Sequence, residues 1–140
     1  LPDPIASIKA CERHLKPGGY LVLNLPNKNG IFYRIAKTIF PLGVKKPFER
    51  LWQKDLPSPH ITYFSDKNIT GFVDKHTDMK ECDKFFLSSI IKDGLKDRIT
   101  TSYAGLKGTL IYAALVLSLP VLNILPKDIM VFVYQKPNIT

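Results

Sequence analysis

The sequence predicts an α/β fold, an open sheet flanked by helices. Residues 4–15 carry apolar side chains at helical spacing and end in Lys16-Pro17-Gly18-Gly19, a tight turn that opens into the apolar run 20–25. Helix-like and strand-like segments then alternate along the chain. The last of them, 128–135, is rich in the β-branched and aromatic residues that suit a strand. With 140 residues, 45% of them hydrophobic and 23% charged, the chain has the composition of one globular domain at most.

Asp3 is a natural N-cap for the first helix, with Pro4 at its first helical position. Ile5, Ile8, Cys11 (or Glu12) and Leu15 give it an apolar face, and Lys16 is a cation at the negative end of the helix dipole. Pro17 blocks continuation, and either following glycine can take a positive φ. The run 20–25 has one polar member, Asn24, and reads as a strand covered on both faces. A buried Asn24 amide would then need a hydrogen-bond partner. Residues 31–40 read as a helix with Ile31, Ile35 and Ile39 on one side, ended by Pro41 and Gly43. The Pro-rich basic stretch 41–60 reads as a loop with a helical turn near 47–53.

Ser65 or Asp66 caps a helix at about 66–76, with Ile69, Phe72 and Val73 inward. Residues 82–91 read as a strand and 92–105 as loop or a short helix. Residues 106–125 are strongly apolar, and 108–125 contain no charge. Eighteen such residues are at the lower limit for crossing a bilayer. Pro120 interrupts them, and a strand must rejoin the sheet directly afterwards. The expectation is a helix over 108–119, broken at Pro120, packed in a core or dimer or lying in a membrane interface.

Cys11 and Cys82 have no CxxC or metal-ligand spacing, so they read as two buried free thiols in a reducing cytoplasm. Twenty basic residues against twelve acidic ones give a net charge of +8. Lys28, Arg34, Lys37, Lys45, Lys46, Arg50 and Lys54 form a basic stretch offset only by Glu49. It is either a solvated face or an attractor of anions. Together with the apolar segment, the charge suits an acidic membrane surface. No nucleic-acid-binding motif accompanies it, and a long apolar segment does not serve a phosphate-binding face.

A family resemblance rests on ordered motifs. Leu1-Pro2-Asp3-Pro4, a helix, and Leu15-Lys16-Pro17-Gly18-Gly19-Tyr20-Leu21-Val22-Leu23 resemble the second half of the class I S-adenosylmethionine-dependent methyltransferases. Trp52 followed by His60-Ile61-Thr62-Tyr63-Phe64-Ser65 resembles the "his-x-x-x-phe-ser" segment of one large branch. The likeness covers residues 1 to about 90 and returns at 128–136. It implies the C-terminal half of a Rossmann-like methyltransferase sheet with flanking helices, whose final strand is inserted antiparallel beside the fifth. The family's glycine-rich turn has no counterpart here. The expectation is therefore one part-domain, 1–140, with a lid-like loop at 41–63, an apolar helical insertion at 106–125, and the cofactor-binding half preceding residue 1.

The resemblance implies methyl transfer from S-adenosylmethionine, bound mainly by that other half, to a small or lipid-like acceptor. Leu1 lies on the cofactor side. His60 is the candidate base, because an imidazole exchanges protons near neutral pH. Its alternative is a ring that bonds the backbone and caps the next helix. Asn24 and Asn27 would line the substrate corner, where open α/β sheets bind ligands, and Asn27 equally suits a cap. Trp52, Tyr63 and Phe48 would roof the cavity or simply pack the loop. A non-catalytic binding or membrane-associated module and a nucleic-acid-modifying protein are the rival classes. A missing half-sheet would also leave a strand edge and apolar surface open, which favours self-association.

Overall fold

A computed structural model describes residues 2–54, 56–57 and 59–138. The chain is mixed α/β, with a three-stranded antiparallel sheet and flanking helices. Leu1, which the resemblance assigns to the cofactor side, lies outside the described residues.

Helix α1 spans Pro4–His14, and the Asp3 carboxylate accepts the Ala6 N–H at 2.9 Å. The helix ends before Lys16. Lys136, just after the last strand and beside the Gly18–Gly19 turn, donates through Nζ to the carbonyls of Glu12 and Leu15 at 2.8 and 3.0 Å instead. A side chain reaching from another element can meet the helix-end carbonyls as well as a local lysine does. Gly18 takes φ +73° in the turn that follows. A side chain there would also meet Asn138.

Strand β1 (Tyr20–Pro26) and strand β2 (Lys80–Leu87) each pair antiparallel with β3 (Ile129–Gln135), in the order β1-β3-β2. β2 starts two residues before the expected strand and ends four earlier, with a bulge at Cys82. Met130, Phe132 and Tyr134 of β3 face the core, with Ile8 of α1 and Ile69 and Val73 of helix α4 (Asp66–His76) against them. Alternating Leu21, Leu23 and Leu25 of β1 complete that layer.

The opposite face of β1 is open. Tyr20 and Val22 are 59% and 60% exposed, and Asn24 is exposed beside them. The expected burial of both faces does not hold among the described residues, where β1 is an edge strand and no element covers its second face. Asn24 consequently needs no protein partner. Cys11 and Cys82 are also exposed, correcting the expected buried thiols. Cys11 lies off the buried face of α1, and Cys82 stands at the bulge.

Helix α2 (Ile31–Ile39) runs into a 3₁₀ turn, Phe40–Leu42, which includes Pro41 and closes at Gly43 with φ +87°. Helix α3 (Lys46–Leu51) packs on α2. Helix α5 (Leu95–Ser102) packs on α6 (Gly105–Ile124). α6 continues through Pro120, contrary to the expected break. Pro120 has no N–H for the Val116 carbonyl. In the same turn Ser118 Oγ donates to the Leu115 carbonyl at 2.7 Å. Nor is α6 a core helix: Gly108 is its one buried residue, held by the close approach of the Tyr103 carbonyl.

Candidate functional site

The turn from β1 to α2 is fastened by the approach to β3. Asn27 N–H donates to the Asp128 carbonyl at 2.8 Å, and Ile31 N–H to the Pro126 carbonyl at 3.1 Å. Asn27 is buried, donates from Nδ2 to the Lys127 carbonyl and accepts the Asn29 N–H on Oδ1, both at 2.9 Å. Both ends of its amide are therefore engaged in shaping the corner. Phe64 bridges to Asn27 in parallel, with Lys28 N–H bonded to the Phe64 carbonyl at 3.0 Å. This holds the segment from His60 to Phe64 beside the carboxyl end of β1. Ser65 then caps α4 through the Asn68 N–H.

Two clefts meet here. The larger, about 720 Å³, lies across the end of the sheet under α2 and α3. Its walls are mostly apolar, from Pro26, Phe32, Ile35, Ile39 and Ile129, with Arg50, His60, Tyr63 and Asp128 as polar members. A mostly apolar cavity with a few convergent polar groups is the usual form of a small-molecule site. The smaller, about 390 Å³, is lined by Asn24, Pro26, Ile61 and Phe64. His60, Pro26 and Gln53 line both.

His60 is fixed at two points: its N–H donates to the Trp52 carbonyl at 3.0 Å, and Nδ1 lies 3.1 Å from the Leu51 carbonyl. A carbonyl can only accept, so this contact is a hydrogen bond in the tautomer that carries the proton on Nδ1 and leaves the lone pair on Nε2; the Tyr63 hydroxyl also lies 3.5 Å from Nδ1. Tyr63 donates its phenol hydrogen to the same Leu51 carbonyl at 2.6 Å. Burial, reinforced by nearby Tyr33, pushes the Tyr63 phenol up to about 12, so it stays a donor at neutral pH.

Trp52 packs against Tyr63 with ring centroids 4.8 Å apart, in a cluster that includes Tyr33, Phe48 and Phe40. It stands behind the cleft wall, and its buried indole N–H has no partner among the described residues. Of the candidate residues, His60, Tyr63 and Asn24 line a cleft, while Asn27 and Trp52 hold its walls.

Asp128, Ser89 and Gln53 belong to the clefts without having stood out in the sequence, and Arg50 joins them from the basic stretch. Asp128 Oδ1 accepts the Phe32 N–H at 2.9 Å, and Ser89 Oγ donates to Oδ2 at 3.3 Å. Burial raises the Asp128 carboxyl above the ordinary aspartate value, against the lowering effects of these two donors and Lys127. Gln53 has φ +52°, the left-handed region that side chains other than glycine rarely occupy. Such backbone strain clusters at functional sites. A lone glutamine gives no sequence signal for it.

The α2 N-terminus is preceded by Gly30, but a Cβ there would lie 2.7 Å from Asp128, whose carboxylate already occupies the helix end. Among the described residues no group of three or more metal-ligating side chains converges. No family model, curated protein or solved structure matches the chain.

Proposed function

We propose that this chain is the substrate-side half of a Rossmann-like, S-adenosylmethionine-dependent methyltransferase. The observation that carries the reading is the pair of clefts meeting at His60 over the carboxyl end of β1. The antiparallel insertion of β3 beside β1 supports it, being the strand order the motif resemblance implies. The cofactor, which supplies the methyl group, is held mainly by a further segment. On this side His60 Nε2 takes a proton from the attacking acceptor atom, the Leu51 carbonyl orients the ring, and Tyr63 braces that carbonyl. The apolar walls favour a small acceptor with a lipid-like body.

The test is titration of radiolabelled S-adenosylmethionine into this chain and into a longer chain carrying the further segment. The longer chain is expected to bind and this one not to. Within the longer chain, His60→Ala should keep cofactor binding and lower the methyl-transfer rate by about 10²–10⁴-fold, the range for a lost general base. Failure of both chains to bind would reject the reading. A non-catalytic module would then be favoured by the Asp128 carboxylate that fills the α2 N-terminus.

A further inference from the structure

Helix α6 is 20 residues long, or about 30 Å, close to the thickness of a bilayer's hydrocarbon core. It is apolar on every side, yet it is almost entirely unburied. Leu110, Leu117 and Ile124 are 62%, 79% and 84% exposed. A helix that is apolar all round belongs in a core or in lipid.

The sheet prevents α6 from crossing a membrane. β2 precedes it and β3 follows it, and Leu87 pairs with Ile129 across the insertion. Both ends of the insertion are therefore tied to the same sheet end, on one side of any bilayer. A return crossing is closed to α5, whose sequence includes Lys96, Asp97 and Arg98. Lipid contact for α6 is therefore lateral, along a surface and not across it.

Charge selects the kind of surface. α6 contains no acidic residue. Lys107 lies in its first turn, with Nζ 5.3 Å from the Tyr103 ring centroid. Lys127 follows its last turn, with Nζ donating to the Asn123 carbonyl at 2.7 Å. The segment around α3 adds further cations: Arg50 shares a cleft with Arg98 and Asp97 of α5, with Tyr103, and with Leu115 of α6, so that basic side chains outnumber the one acidic one there. Lys45 and Lys46 stand at the start of α3, and Glu49 is already paired with Lys54 at 3.2 Å. In a symmetric pairing of two α6 helices, lysine would face lysine in either direction. An anionic headgroup layer meets the cations, and its acyl boundary takes the leucines.

We propose that α6 lies in the plane of an anionic bilayer, sunk into the boundary between headgroups and acyl chains, with the basic α3 lid on the headgroups. Vesicle binding requires neither cofactor nor acceptor, so its outcome is separate from that of the cofactor titration.

The experiment is flotation of the 140-residue chain with vesicles of phosphatidylglycerol and phosphatidylcholine in equal parts, and with phosphatidylcholine alone. Binding is expected to the first, weakening as salt is added, and to be slight for the second. The double variant Leu110→Asp/Leu117→Asp alters exposed positions only and should abolish it. Lys45→Glu/Lys46→Glu should weaken it by tenfold or more, from about 1 kcal/mol per surface cation. In Leu117→Trp, brominated acyl chains should quench the added fluorescence. Absence of binding to anionic vesicles would overturn the proposal. So would binding indifferent to the aspartate variant, or a soluble dimer that this variant dissociates.

Discussion

The Asp128 carboxylate accepts the backbone N–H of Phe32 at 2.9 Å, so the first turn of α2 is capped from the start of β3, 96 positions along the chain. This contact joins the two walls of the larger cleft. Asp128→Ala should cost about 1 kcal/mol through the lost cap. Asp128→Asn keeps the acceptor. Burial raises the folded carboxyl above 3.8, so its favourable contribution is complete below that pH and is lost as pH rises through the folded value. Asp128→Asn should therefore equal or exceed the parent chain in stability at pH 7, the gap closing on acidification. Denaturant melts across pH check both variants.

Tyr63 titrates in the opposite part of the pH range. Its phenol is displaced from 10.0 to about 12, so its contribution to stability is complete below pH 10 and lost between about 10 and 12. Tyr63→Phe should flatten alkaline unfolding in that window. At pH 7 it should cost about 1 kcal/mol for the bond to Leu51. Thermal melts at pH 7 and 11 measure both effects.

Asn27 should be intolerant of change. Asn27→Ala leaves the Lys127 carbonyl and the Asn29 N–H without their partners at a part-buried corner, and a loss of about 2–3 kcal/mol is expected. Asn27→Asp retains only the acceptor role and should fall between. Chemical denaturation midpoints rank the three chains.

Gln53→Gly tests the left-handed residue shared by the clefts. Release of the φ +52° conformation should offset glycine's entropic cost, leaving stability within about 1 kcal/mol of the parent chain. If the side chain contacts the acceptor, transfer falls while the melting temperature holds. Parallel measurement of rate and melting temperature separates the two effects.

The open edge and face of β1 should make the chain self-associate. Unpaired strand edges beside apolar surface recruit further strands. Val22→Lys, at an exposed position, should shift light scattering toward monomer without lowering the melting temperature.

Helix α4 was legible to the residue, because a serine cap and the inward pair Ile69 and Val73 agree locally. Asp3 and Pro4 did the same for α1. The apolar run of β1 resembles that of a strand covered on both sides, because periodicity records apolar content and not which neighbours are present. The reach of α6 past Pro120 was hidden because proline's cost is local, whereas good helix formers such as Ala113, Ala114, Leu115, Leu117 and Leu119 precede it. The polar wall of the cleft was least legible. Ser89 and Asp128 come from separate segments that the pairing of β2 with β3 brings together, and α3 adds Arg50.

The sheet has a temporal consequence. Among the described residues β1 and β2 pair only with β3, and Pro26 waits for Ile129, 103 positions later. During synthesis, α6 therefore leaves the ribosome before the strand that completes the sheet. A greasy rod is exposed while its own scaffold is still unzipped, and slow non-local pairing of this kind leaves a chain open to aggregation. On the proposed membrane docking, the same surface would also cover the rod before the last strand closes the sheet.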